Sequence, residues 1–157
     1  MSPEDWPAVR AIYLEGIMTK QATFETAVPT WAEWDTARRP DCRLLARQGD
    51  KVVGWAALNP VSRRVVYAGV AEAGIYVSED YRGQGVGRLL LKALIKRSEG
   101  AGIWTLQASV FPENEASLRL FQALGFRTVG TRERIAQQDG RWRDTILLEK
   151  RSDVVGV

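Results

Sequence analysis

The sequence predicts an α/β (α+β) fold, a mixed sheet packed by helices on both faces. Three observations predict it. Helical and strand-like apolar patterns follow one another in the order ααβββαβαββ. A Gly-rich turn leads from a long strand-like segment into the clearest helix of the chain. Asp139-Gly140 marks a hairpin near the C-terminal end. No fixed-period repeat, low-complexity stretch or Pro/Gly/Ser-rich linker interrupts the chain, so residues 1–157 are expected to form one domain, with 151–157 a polar tail.

The first helix has Ser2 as N-cap, Pro3 at its first position and Asp5 at the capping-box position. Trp6, Val9, Ile12, Tyr13 and Ile17 then recur at helical spacing. Thr30-Trp31-Ala32-Glu33 is a second capping box, opening a short helix that ends near Pro40. Cys42–Arg47 and Val52–Leu58 read as strands joined by the turn Gln48-Gly49-Asp50-Lys51. After the basic connection Ser62-Arg63-Arg64, Val66–Val77 reads as one long strand-like segment. In the helix beginning near Gly85, Val86, Leu89, Leu90, Ala93 and Leu94 form an apolar stripe opposite Arg88, Lys92 and Lys96. Ile103–Val110 is the next strand, Asn114–Leu124 a helix stopped by Gly125, and Phe126–Ile135 and Arg141–Glu149 the closing hairpin.

Composition excludes several chemistries. The 157 residues include no histidine and one cysteine, Cys42, so a Ser-His-Asp triad, a Cys-His pair, a His-ligated metal and an intrachain disulfide are all impossible. No metal site is expected. The start Met-Ser-Pro-Glu-Asp-Trp lacks the pattern of a signal peptide, and no apolar run approaches the roughly 18–20 residues of a membrane span, so the expected location is the cytoplasm. Lys plus Arg number 22 against 19 Asp plus Glu, a net charge of +3 whose basic residues are dispersed and match no nucleic-acid motif. Acid–base work falls to carboxylates, Tyr, Lys, water or the substrate.

Arg82-Gly83-Gln84-Gly85-Val86-Gly87 stands between a strand ending at Val77 and a helix beginning near Gly85. Glycines there let the backbone approach a ligand, and free N–H groups at a helix start attract phosphate. A P-loop is excluded because Gly87 is followed by Arg88-Leu89, and neither glycine register satisfies G-x-G-x-x-G.

Arg82-x-x-Gly85-x-Gly87 after Tyr76-Val77, followed by Asn114 and Leu124-Gly125-Phe126, resembles the Gcn5-related N-acetyltransferase (GNAT) superfamily. Ala22-Thr23-Phe24-Glu25-Thr26, Thr30-x-x-x-Trp34, Ala71-Glu72-x-x-Ile75-Tyr76-Val77 and the Asp139-Gly140-Arg141-Trp142-x-Asp144 hairpin resemble its phosphinothricin and methionine sulfoximine acetyltransferase branch. The resemblance implies a mostly antiparallel sheet whose central strands splay apart, with acetyl-CoA in the gap. By resemblance, the backbone of Ile75, Tyr76 and Val77 holds the acetyl carbonyl and pantetheine arm. The amides of Gly83, Gln84, Gly85, Val86, Gly87 and Arg88 wrap the pyrophosphate, and the Arg82 and Arg88 side chains add positive charge. Asn114 bonds the pantetheine arm, although an ordinary helix N-cap explains it equally well.

The same resemblance makes Glu72 the general base. An α-amine with a pKa of about 7.7–8.0 is mostly ammonium at pH 7 and must lose a proton before attacking a thioester. A well-placed carboxylate accelerates that step by ~10²–10⁴. Where many relatives carry Tyr or His to protonate the leaving thiolate, this chain has Phe121, so no general acid is assigned. The family also begins with a strand that this chain lacks ahead of its first helix, so that strand is expected to be missing.

On the acceptor side, Phe24 and Glu25 lie in the region that borders the acceptor pocket of relatives. Arg64 and Tyr67 come from the loop before the central strand, where an arginine suits a substrate carboxylate. The expected partners are a small-molecule amine and a second copy in a homodimer, without nucleic acid or membrane. The leading expectation is acetylation of an amino acid-like amine. A protein N-terminus or polyamine as acceptor and a non-catalytic acyl-CoA sensor are the alternatives.

Overall fold

A computed structural model describes all 157 residues. The elements are α1 (Trp6–Thr19), α2 (Trp31–Ala37), β1 (Arg43–Gln48), β2 (Lys51–Pro60), β3 (Val70–Val77), α3 (Val86–Gly100), β4 (Thr105–Val110), α4 (Glu115–Ala123), β5 (Arg127–Gln138) and β6 (Arg141–Arg151). Six strands form one sheet in the order β1-β2-β3-β4-β6-β5, antiparallel at every junction except β3–β4. The mixed class and the order of elements match the expectation.

Local chemistry sets the helix starts. The Ser2 amide donates to Asp5 Oδ2 at 2.8 Å, but the residues it caps, Pro3–Asp5, form a 3-10 turn, and α1 begins only at Trp6. At α2 the reciprocal box is complete: Glu33 N donates to Thr30 Oγ1 at 3.3 Å and Thr30 N to Glu33 Oε2 at 2.8 Å. Asp139 (φ 51°) and Gly140 (φ 76°) are both left-handed, which matches the twist of the β5–β6 hairpin.

The sheet separates two apolar layers because successive residues of a strand face opposite sides. On one side β2 contributes Ala56 and Leu58, which pack with Leu90, Leu91 and Leu94 of α3, Phe121 of α4, and Leu148. On the other side Trp55 and Ala57 pack with Val9, Ile12, Tyr13 and Ile17 of α1 and Trp34 of α2.

Two expectations change. Val66–Val77 is not one strand: Val65–Tyr67 is a 3-10 turn and β3 starts at Val70. Trp104 causes the break, since its ring packs where a Cβ on Gly69 would stand, only 2.0 Å from Trp104 Cε3, and Gly69 O accepts from Trp104 N. The buried stripe of α3 is also rotated. Leu90, Leu91 and Leu94 are buried, whereas Leu89 is 65% exposed. Val86 and Leu90 close onto Gly54 of β2, where an added Cβ would lie 3.1 and 3.0 Å from their side chains, and that approach sets the helix phase.

Candidate active site

The cleft begins where two strands part. β3 and β4 pair only from Val70↔Thr105 to Glu72↔Gln107. Beyond that point Ala73–Val77 pairs with β2 alone and Ala108–Val110 with β6 alone. Each strand therefore presents one rim of backbone without a sheet partner to the gap. A cavity of about 350 Å³ occupies it, lined on β3 by Glu72, Ala73, Gly74, Ile75 and Tyr76 and on β4 by Ala108, Ser109, Val110 and neighbouring Phe111.

Glu72 sits at the point of parting, with Asn59 of β2 and Gln107 of β4 directly beside it in the register. Gln107 Nε2 donates to Glu72 Oε2 at 2.9 Å, which fixes the carboxylate at the head of the cleft. The opposite wall is the segment Gln21–Glu25, held by side chains from distant parts of the chain. Asn114 Nδ2 donates to Gln21 O at 3.1 Å, and Gln138 Nε2 donates to Thr23 O at 2.9 Å. Arg143 donates to Gln21 Oε1 at 2.9 Å and to Glu113 Oε2 at 3.1 Å while its guanidinium lies 3.6 Å above the Phe111 ring. The floor is aromatic: Tyr76 stacks on Trp55 at 4.6 Å and on Tyr13 at 4.9 Å between ring centres. Burial there raises the Tyr76 phenol above the ordinary tyrosine range, so it remains neutral.

The Gly-rich turn continues from the cleft-lining part of β3. Gly83 (φ 73°) and Gly85 (φ 86°) hold left-handed conformations, and Gly85 caps α3. The first N–H groups of a helix have no intrahelical acceptor, and in α3 the bonding begins only with Leu89 N to Gly85 O, which leaves the amides before it free to meet an anion. Glu15 of α1 steadies the approach to this turn by accepting from Glu79 N at 2.6 Å.

A model of the Acetyltransferase (GNAT) family matches residues 6–126. The chain belongs to that family. It is 36% identical to the phosphinothricin N-acetyltransferase of Alcaligenes faecalis, an alignment covering 94% of this chain and 78% of the relative. It is 31% identical to the L-methionine sulfoximine/L-methionine sulfone acetyltransferase of Pseudomonas aeruginosa, over 95% of this chain and 90% of the other. The Sinorhizobium meliloti phosphinothricin acetyltransferase, solved in complex with AcCoA, superposes with a TM-score of 0.85 at 26% identity, covering 99% of this chain and 92% of that one. The branch is therefore the phosphinothricin acetyltransferase-like one.

Within this GNAT chain, Glu72, Ile75, Tyr76, Asn114, Phe24 and Glu25 all line one cleft, although they come from three separate segments. Val77 and the turn Arg82–Arg88 lie just beyond its lining, next along the chain. Arg64 and Tyr67 stand apart from the lining, on the exposed connection before β3, with the Arg64 guanidinium 5.4 Å from the Tyr67 ring centre. Asn114 caps α4, accepting from Ser117 N at 3.2 Å, and also tethers Gln21. Phe121 is 4% exposed and lines the cleft edge-on to Phe126. Cys42 is fully buried, and burial pushes its thiol up to about 11, so it stays protonated.

Sequence reasoning missed Arg38, Asn59, Gln107 and Arg143. Asn59 and Gln107 flank Glu72 only through strand register, which an isolated strand pattern does not disclose. Arg38 follows α2, lines the cleft and packs on three aromatic rings. Burial pulls its guanidinium below the ordinary arginine range, opposed by Tyr13.

Proposed function

We propose that this GNAT enzyme transfers an acetyl group from acetyl-CoA directly to the amine of a small amino acid-like acceptor, with Glu72 as general base. The observation that carries this reading is the parting of β3 and β4 at Glu72 and Gln107. Acetyl-CoA supplies an activated acetyl thioester. The unpaired rim of β3 from Ile75 to Val77 fits an extended arm as an added strand. The amides from Gly83 to Arg88, with the Arg82 and Arg88 side chains, fit its pyrophosphate. Backbone N–H groups along the rim polarise the thioester carbonyl. Glu72 accepts the ammonium proton; the amine nitrogen then bonds the acetyl carbon as the carbon–sulfur bond breaks. The sulfur leaves as a thiolate, and the second proton shed by the acylated nitrogen reaches it through water, because Phe121 offers none.

The named substrates of the relatives support an amino acid-like acceptor. The exposed apolar residues Val65, Val66 and Tyr67 support a homodimer, and the absence of any helix long and apolar enough to cross a membrane is compatible with the cytoplasmic location we infer. Glu72→Gln is expected to lower kcat by ~10²–10⁴ while leaving acetyl-CoA affinity unchanged. Unchanged turnover overturns the base assignment. Failure of the wild-type protein to release CoA with any amine, while still binding acetyl-CoA, overturns the transferase reading in favour of a sensor.

A further inference from the structure

The end of the cleft beside α2 holds a positive charge that no carboxylate pairs directly. The Arg38 guanidinium lies 4.9 Å from the Trp34 ring centre, 5.7 Å from that of Tyr13 and 5.9 Å from that of Trp55. It lines the cleft and is half-buried. Seven side-chain ion pairs are present in the chain, and Arg38 belongs to none of them. The nearby acids are engaged elsewhere, Asp41 by Arg39 at 2.7 Å and Asp35 by Arg43. Two further donors share this corner: the indole N–H groups of Trp34 and Trp55, 0% and 1% exposed, have no acceptor. The corner is rich in donors, and beside the Tyr13 hydroxyl it holds no carboxylate paired to them.

Aromatic faces hold a guanidinium in place and offset part of its desolvation. The Tyr13 hydroxyl beside it answers at most part of its N–H fork, no carboxylate pairs with it, and buried donors without acceptors are costly. A carboxylate answers the fork with two parallel hydrogen bonds. The carboxylates that line the cleft, Glu25 and Glu72, are not within ion-pair distance of Arg38. Separated opposite charges in one cleft complement a zwitterion.

We propose that Arg38 is the acceptor-specificity residue of this enzyme, binding the carboxylate of an α-amino acid whose amine faces Glu72. The proposal rests on the acetyltransferase reading for its kinetic consequences, and its binding test is independent of turnover. L-Methionine sulfone and its α-carboxamide are titrated calorimetrically into wild type, R38Q and R38K, and kcat and KM are measured for both compounds. Wild type is expected to prefer the acid on the order of 10²-fold, in line with a charge-assisted bidentate contact. R38Q is expected to raise Kd and KM for the acid by about that factor, with kcat, the carboxamide values and the acetyl-CoA KM unchanged. R38K keeps a point charge but loses the fork and the stacking, so it recovers only part of the preference. Equal effects of R38Q on acid and carboxamide, or no effect on either, overturn the proposal, as does wild-type protein that binds neither compound. A thermal melt of each variant separates lost recognition from lost folding. If wild type prefers the acid in binding and R38Q abolishes that preference while no variant turns over, Arg38 recognition stands and the transferase reading falls.

Discussion

The two layers that sandwich the sheet are built differently. Under α3 and α4 the layer is mainly aliphatic, with Leu58, Leu91, Leu94 and Leu148 at 0% exposure and no polar side chain required among them. Under α1 and α2 it is aromatic, with Tyr13, Trp34 and Trp55 packed in contact and bordered by Arg38. Aliphatic side chains fill volume without directional demands, and so this layer serves as scaffold. Rings and a guanidinium carry unpaired donors and ring faces, so the aromatic layer doubles as the wall of the cleft. The difference teaches that the aromatic face supplies the polar and charged wall of the cleft, while the aliphatic face contributes only apolar lining such as Phe121 and otherwise serves as scaffold.

Substitutions on the two faces are ways to break that division. Leu91→Ala is expected to cost about 2–5 kcal/mol in denaturant unfolding, with kcat/KM of the folded fraction unchanged. A large change in KM would show that the aliphatic layer also shapes the site. Gly54→Ala forces α3 away from β2 against the 3.0 Å approach of Leu90, and should cost about 1–3 kcal/mol by the same measurement. Trp55→Phe keeps an aromatic surface but weakens the stack with Tyr13 and Tyr76, an expected loss of about 1 kcal/mol accompanied by a raised acceptor KM. An unchanged KM would make the aromatic layer mere filling.

Two smaller effects sharpen the picture at the periphery. Thr30→Ala removes the side-chain acceptor of the α2 cap and should lower stability by ~1 kcal/mol. The Arg39 side chain, by hydrogen bonding, holds Asp41 below its ordinary 3.8. A lowered carboxyl contributes stability above its unfolded value and loses it as pH falls through the folded one. A small acid-side decline in Tm below about pH 4 is therefore expected, and it should shrink in Asp41→Asn.

Much of the site was legible in residue order because its backbone determinants are local. Glycines that need left-handed φ at 83 and 85, the Thr30 capping box and the Asp139-Gly140 turn each depend on a few neighbouring residues. Glu72 was legible through the motif that contains it. The break before β3 was not, because it arises from Trp104, 35 residues from Gly69 in the chain. The phase of α3 was not, because Leu89 and Leu91 are equally apolar and only the approach to Gly54 chooses between them.

By itself the sequence determined the kinds of chemistry available: a chain without histidine leaves proton transfer to carboxylates and water, and its turn glycines and caps dictate where elements begin and end. Tertiary structure alone decided which side chains meet. Register sets Gln107 against Glu72, and Arg143 draws residues 21 and 113 together. Packing leaves Arg38 without a counter-ion beside three rings while equally charged Arg39 and Arg43 are paired. Charge is a property of the residue, whereas its desolvation and its partners are properties of the fold.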